Sequence, residues 1–417
     1  MTAEASEDDQ RALRHRLSTA AAVRDSAERA YALAEAGALP GLTLHPERLD
    51  EVAERVIAVT RARYPDLSVP LHSRWRHFET GGLDRWGMLA AAREFSDPRQ
   101  AARAAGDLAV VSVLLDAGAG PDWSFREDLT GETHHRSEGL AIASLAMVAA
   151  GVFSGVPADP LRADAVVLAR ITEDEIAAGM QAGPDNPMVG LAGRATLLAR
   201  LAHVMENRRD LFAVDDDPRP GGLVDALVAR AEDGVLPAAT ILDVVLDGLA
   251  PVFPGRLELA NLPVGDVWPL PALDTGAYGS ELAAFHKLST WLALSLIEPL
   301  DLAGIAVADL DGLPGLAEYR NGGLFLDAGV LALADPDDAE RLHAVDSPLV
   351  VAWRAMTVAL LDRLAAAVRT RLGVDAETFP LACVLEGGTW AAGRAIAWER
   401  RADGAPPLRV ESDGTVF

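Results

Sequence analysis

Residues 347–372 read SPLVVAWRAMTVALLDRLAAAVRTRL and are followed by Gly373. This is the clearest helix in the chain, a long run that ends in arginines, where the helix dipole favours cations, and then meets a glycine. Much of the sequence reads in the same way. HPERLDEVAERVIAVTRARYPDL (45–67) places Pro46 in a first turn, acids early and arginines late. Its Leu49, Val52, Val56, Ile57 and Val59 fall mostly on one face. Further helices are expected at 9–36, 98–116, 138–152, 160–170, 172–181, 189–206, 222–232, 237–250 and 280–299. Alternating patterns are scarce. Strands are expected at 304–307, at 323–327 and in the tail PPLRVESDGTVF, where Asp413-Gly414 suits a hairpin turn. The expected fold class is mostly α, a large α-helical domain with a few short strands.

At 417 residues the chain exceeds the usual single-core limit of roughly 250 to 300. Two organisations fit: one large helical domain over 1–417, or two interlocked lobes with a break near 214–222. There, DDDPRPGG reads as a surface loop. Sixty-two acidic residues against 37 basic ones give a net charge of -25. Such a surface repels nucleic acid and anionic lipid, so neither is an expected partner. Cys383 is the only cysteine, which leaves no disulfide framework and no thiolate metal cluster; it reads as a small core residue. No run reaches the roughly 18 apolar residues of a membrane span. The opening MTAEASEDDQRALRHR is polar and charged, so a cytoplasmic protein is expected.

Chemistry concentrates in a few polar stretches. HSRWRHFETGG (72–82) carries His72, Arg74, Arg76 and His77, which together can neutralise an anion. The alternative is a buried Arg–Glu knot around Glu79, with Trp75 and Phe78 in the core. THHRSEGLAIAS (133–144) places Arg136 and Glu138 before an apolar helix, with Ser137 as its N-cap. FHKLSTWLALSLIEPL (285–300) sets His286, Lys287 and Ser289 near a helix start, with Glu298 at its end. In LAEYRNGGLFLD (316–327), Glu318, Tyr319, Arg320 and Asn321 precede two glycines that permit a sharp turn, and Asp327 closes the run. LEGGTWAAGRAIAWERR (385–401) joins Glu386 to Gly387, Gly388 and Trp390. Its glycines offer backbone N–H groups at a helix start, an anion-friendly arrangement. No P-loop, GxGxxG, GxSxG, CxxC or HExxH spacing is present.

These phrases, with LLDAGAGPDW, DPLRADA, GDVW and SDGTVF, occur in one order from about residue 10 to Phe417. The series resembles the Urg3-like family of URC-type uracil-catabolism proteins, the fourth protein of that route, a domain of unknown function. The resemblance implies a route in which uracil is carried as a ribosyl derivative and a cyclohydrolase-like partner opens the ring. Urea and a three-carbon acid are released, with a ribosylurea species as intermediate. The chemical vacancy is a hydrolase (an N-ribosyl or ureide glycosidase) that frees urea from ribosylurea or its 5′-phosphate.

Such a step passes through an oxocarbenium-like state and needs a carboxylate and a proton donor. Asp327 and Glu386 are the candidate carboxylates, with Glu318 and Glu298 in reserve. His286 or His77 would supply the proton. Arg74, Arg76, Arg136 and Arg320 would hold the phosphate or the urea carbonyl. Trp75 and Trp390 would wall the pocket, and His72, Tyr319 and Asn321 would complete the substrate contacts. This reading needs no cofactor. One alternative is an amidohydrolase using a divalent metal such as zinc, with ligands among His72, His77, His134, His135 and His286. Another is a non-enzymatic scaffold or regulatory binder. The expected helical fold, with a carboxylate after a glycine-containing turn, also bears a loose analogy in shape and chemistry to helix-hairpin-helix DNA glycosylases and queuosine nucleoside glycosidases.

Overall fold

The 347–372 stretch forms the helix Pro348–Leu372 in the computed structural model, which describes residues 5–253 and 257–411. The Ser347 hydroxyl accepts the Val350 N–H, Pro348 stands in the first turn, and Gly373 closes the helix at φ 72°. Residues 350–361 are buried all round, so this helix is a core axis rather than a surface helix. It packs against the helices Ala20–Glu35 and Leu49–Arg63.

The chain divides into two compact units. The first holds Met1–His72, Gly255–Thr290 and Asp309–Val416; the second holds Ser73–Pro254 and Trp291–Ala308. In the first unit, the expected helix over 9–36 is two helices, Glu7–Leu17 and Ala20–Glu35. The break comes where Thr19 turns its hydroxyl to the Ala22 N–H and caps the second helix. Pro46 opens a short 3-10 turn, Pro46–Arg48, ahead of Leu49–Arg63. On that helix Val52, Val56 and Ile57 are buried.

Two expectations are corrected in the first unit. Residues 323–327 are not a strand but the end of the helix Tyr319–Asp327. Both oxygens of Glu318 take backbone N–H groups, from Asn321 at 2.6 Å and Arg320 at 2.8 Å, and this cap starts the helix ahead of the two glycines. The glycine pair therefore lies inside a helix and makes no turn. Likewise 280–299 is not one helix. Leu282–Ala284 is a strand paired antiparallel with Val267–Pro269, and the helix Lys287–Ser295 follows a left-handed His286 at φ 47°.

The strands are two or three residues long. Leu42–Leu44 pairs antiparallel with Leu331–Leu333, and Leu342–His343 pairs in parallel with Arg409–Val410. Asp413-Gly414 lies outside the described residues. In the second unit Ala306–Ala308, near the expected 304–307, runs parallel to Val235–Pro237. The helix Pro98–Leu114 packs there against Arg136–Ala149 and Ile297–Leu302. The 215–222 stretch lies within this unit. Its acids are exposed, but Arg219 is buried on Asp107. Among the described residues no helix is long and apolar enough to cross a membrane.

Close helix approach in the first unit runs through glycines. A Cβ on Gly388 would stand 2.6 Å from the Val56 carbonyl oxygen and 2.8 Å from the Thr60 hydroxyl. One on Gly393 would overlap the Arg320 carbonyl, and one on Gly322 would stand 2.7 Å from the side chains of Thr357 and Trp353. Gly388→Ala and Gly393→Ala should each destabilise the protein by about 1–3 kcal/mol. Gly193→Ala, with open space around it on Leu191–Asn207, should be neutral or stabilise by up to roughly 1 kcal/mol. Thermal or urea unfolding of the three variants checks both expectations.

Candidate functional site

The EGGT phrase sits in a π-helical turn, Leu385–Thr389, between the helical segments Leu381–Val384 and Trp390–Arg400. Its glycine N–H groups are therefore inside a helical run, not at a free helix start as the sequence suggested. The glycines serve close packing against Leu49–Arg63 instead. Single π turns inside helices concentrate at functional sites.

Glu386 projects from this turn into a set of donors. His72 Nδ1 lies 2.8 Å from its Oε2, while Arg63 donates to Oε1 at 3.0 Å and the Tyr64 hydroxyl lies 3.3 Å from the same oxygen. Arg63 also holds the Glu386 backbone carbonyl at 2.6 Å. Burial works to raise the Glu386 carboxyl, but the His72 and Arg63 contacts prevail and hold it below the usual carboxylate range. Glu386 is thus a buried, ionised carboxylate.

Asn321 joins a second motif to this turn: its side-chain oxygen accepts the Thr389 hydroxyl at 2.9 Å. At the head of the same helix, burial pushes the Glu318 carboxyl up, against the pull of the Arg320 and Asn321 N–H groups and the charges of Lys287 and His72. His72, Lys287, Glu318, Asn321, Glu386 and Thr389 therefore belong to one electrostatic and hydrogen-bonded cluster, drawn from four separate motifs. Arg63 and Tyr64 complete it and were not singled out in the sequence, because they close an ordinary amphipathic helix. The weight of Lys287 was also missed. Its signal is visible only over the whole chain: it is the only lysine among 37 basic residues.

Other residues of this unit lie in different surroundings. Asp327 accepts Arg401 through both oxygens, at 2.7 and 2.5 Å. His286 is fully buried, with Nε2 2.8 Å from the Leu17 carbonyl, and burial pushes its pKa down. Arg320 is buried and donates to the Gly404 carbonyl at 2.9 Å, with its guanidinium 4.8 Å from the Tyr319 ring centroid. Trp390 is covered by Arg394 at 4.7 Å. Cys383 donates to the Val69 carbonyl at 3.2 Å, and burial pushes its thiol up to about 12, so it is a core thiol rather than a nucleophile.

The second unit holds Arg74, Trp75, Arg76, His77 and Arg136. Arg74 is fully buried and pairs with Asp116 at 2.9 Å, with further bonds to the Ser112 and Ser137 hydroxyls at 2.8 and 3.1 Å. Ser137 does not cap its helix; it donates to Asp116 at 2.6 Å, and the helix begins at Arg136. Arg136 itself is exposed, at φ 55°. Trp75 and Phe78 are in the core, and Arg76 bridges Glu79 at 2.7 Å and Glu298 at 3.0 Å. The His77 ring lies 5.8 Å from Trp291. Burial pushes the Glu298 carboxyl up to about 7, against Arg76 and the Ser73 hydroxyl. Among the described residues no three His, Cys, Asp or Glu side chains are grouped to share a metal ion. His134 rests 3.4 Å from Glu127, which in turn is held by both arms of Arg85.

Comparison with known proteins adds the lineage. Residues 16–417 match the family described as "Protein of unknown function (DUF1688)". The chain belongs to this family. The DUF1688 chain is similar to "Protein urg3" of Schizosaccharomyces pombe, with 36% identity over 95% of this chain and 96% of that protein. It is also similar to "Uracil catabolism protein 4" of Lachancea kluyveri, with 33% identity over 89% and 90% of the two chains. The Urg3-like resemblance read from the motifs is thereby shown.

Glu298 gives this DUF1688 chain a pH signature. Its folded pKa lies above the unfolded value, so its burial costs nothing below about pH 4 and costs more as pH rises towards 7. Above that range the cost levels off at about 3–4 kcal/mol. Glu298→Gln should therefore flatten the loss of stability between about pH 4 and pH 7, measured by urea unfolding across that range.

Proposed function

We propose that this chain acts in uracil catabolism and hydrolyses the N-glycosidic bond of ribosylurea, or of its 5′-phosphate, to release urea. The observation that carries this reading is the pairing of two acids in the first unit's cluster, with opposite environments. Glu386 is held ionised by His72 and Arg63, while burial raises Glu318. Opposed shifts of this kind separate an acid from a base. Ionised Glu386 stabilises the positive charge that develops at the anomeric carbon and orders the attacking water. Glu318 gives its proton to the departing nitrogen, which would otherwise leave as a poor ureide anion. The name of the Lachancea kluyveri relative supports the pathway, and the ionisation pattern supports the reaction type. Asp327 and His286 are not assigned roles in the bond cleavage, because one is closed by Arg401 and the other is buried as a neutral core ring.

The test is incubation of the protein with ribosylurea, with and without its 5′-phosphate, following urea and ribose by NMR. Urea is expected from one or both compounds, and none from either overturns the reading. Glu386→Gln should lower kcat/KM by about 100-fold or more. For the native protein, kcat/KM should fall as pH drops and Glu386 takes up a proton, and fall again as pH rises and Glu318 loses one.

A further inference from the structure

The second unit holds a polar network that the proposed hydrolysis does not use. We propose that Ser137 is the nucleophile of a separate acyl-transfer site in this unit, with Asp116 as its base and an uncharged carboxylic ester as its substrate class. The Ser137 hydroxyl donates to Asp116 at 2.6 Å and accepts from the Arg74 guanidinium at 3.1 Å. Its proton is thus already aimed at a carboxylate and its oxygen already faces a cation, two contacts that ease removal of the proton. Arg74 is fully buried and is locked in turn by the Ser112 hydroxyl at 2.8 Å, which Ser144 braces at 2.6 Å. Ser137 and Glu138 are half-buried while His135 and Arg136 are exposed, so the network reaches the surface at its serine end.

The chain presents this serine on a sharp turn. The strand Thr133–His135 runs straight into the helix Arg136–Ala149, and Arg136 takes up the change of direction with a left-handed backbone at φ 55°. Gly139, two residues past the serine, lets the first helical turn press onto the strand. A Cβ there would stand 2.9 Å from the His134 carbonyl oxygen and 3.1 Å from the Trp123 ring. Strand, strained turn, serine and helix in this order, with a glycine two residues on, is how hydrolases with a GxSxG elbow expose their nucleophile. Only the second half of that motif, Ser137-Glu138-Gly139, is written in this sequence, and the left-handed residue here comes just before the serine. The start of this 14-residue helix also favours the negative charge that develops on an attacked carbonyl oxygen.

His77 is the other base within reach, its Nδ1 3.5 Å from the Ser137 hydroxyl oxygen. Arginine can only donate, so the 3.2 Å contact with Arg74 makes His77 Nδ1 an acceptor, and a proton there would face the guanidinium. Asp116 therefore takes the serine proton. The carboxylates of Asp116 and of Glu138, next in the chain to the serine, repel phosphoryl and carboxylate groups, which selects an uncharged acyl donor. The step balances without a cofactor. The Ser137 oxygen bonds the acyl carbon as its proton passes to Asp116, the bond to the ester's alcohol oxygen breaks, and the alcohol leaves with that proton. Water then attacks the acyl-serine and gives a proton to Asp116, and the carboxylic acid is released as Ser137 takes that proton back.

The test is incubation of the full chain with an uncharged alkyl fluorophosphonate, followed by intact mass and peptide mapping, with hydrolysis of p-nitrophenyl acetate measured in parallel. The expected result is one phosphonyl group on Ser137, with loss of fluoride, and release of p-nitrophenol. Ser137→Ala should take no label and lose on the order of 100-fold or more of the ester hydrolysis. Asp116→Asn should slow labelling on the order of 100-fold, while His77→Gln, which still accepts from Arg74, should keep most of it. Mapping on the native chain decides the question even where a variant fails to fold. A native chain that takes no label, a label confined to residues other than Ser137, or a folded Ser137→Ala protein that hydrolyses the ester at the native rate overturns the proposal. None of these outcomes depends on urea release from ribosylurea, so this site and the glycosidase reading stand or fall separately.

Discussion

The first unit depends on how closely a helical turn can approach its neighbour. Val56, Thr60 and Arg63 lie one above another on one face of Leu49–Arg63. Gly388 presses its bare α-carbon onto the first two of these, at distances that leave no room for a methyl group, and Gly387 stands tightly against Thr60. With that spacing fixed, Arg63 reaches both the carbonyl and the carboxylate of Glu386. Gly393 and Gly322 repeat the device, against the Arg320 carbonyl and against Trp353. The position of Glu386 therefore follows from backbone packing, and the ion pairs then hold what the glycines have placed.

Electrostatics in this acidic chain divides into two uses. Most arginines with buried partners are structural. Arg354 on Asp266, Arg74 on Asp116, Arg85 on Glu127 and Arg219 on Asp107 each neutralise a carboxylate inside one unit. Removing one member of such a pair leaves an uncompensated buried charge, which is why pairs of this kind are costly to break. The Glu386 cluster is different. Its carboxylate is shared among histidine, arginine and tyrosine, and a second carboxyl nearby, Glu318, is pushed in the opposite direction. That asymmetry is the electrostatic basis for acid–base work.

The helical nature of the fold was legible because periodicity and caps are local. Ser347, Pro348 and Gly373 mark their helix in the sequence as they do in space. The errors have physical causes. A double glycine usually means a turn, but in Tyr319–Asp327 the Glu318 cap and close contact with Trp353 make it helical. His286 breaks an otherwise helical pattern through a left-handed backbone that its residue type does not announce. HSRWRHFETGG was conspicuous for its charge. In the structure Arg76 bonds Glu79 and Glu298, Arg74 bonds Asp116, and His72 alone joins the Glu386 cluster. Arg63 and Tyr64 carried no sequence signal beyond helix-end composition. Lys287 did carry one, the rarity of its type, which no local motif displays.

The most direct measurement is a crystal structure of the Glu386→Gln protein with ribosylurea bound. The anomeric carbon should lie within contact distance, about 4 Å, of the residue 386 side chain, with the urea nitrogen facing Glu318. An ordered ligand elsewhere, with position 386 still enclosed by His72 and Arg63 and no ligand atom beside it, would show that these residues form a structural knot and not a reaction centre.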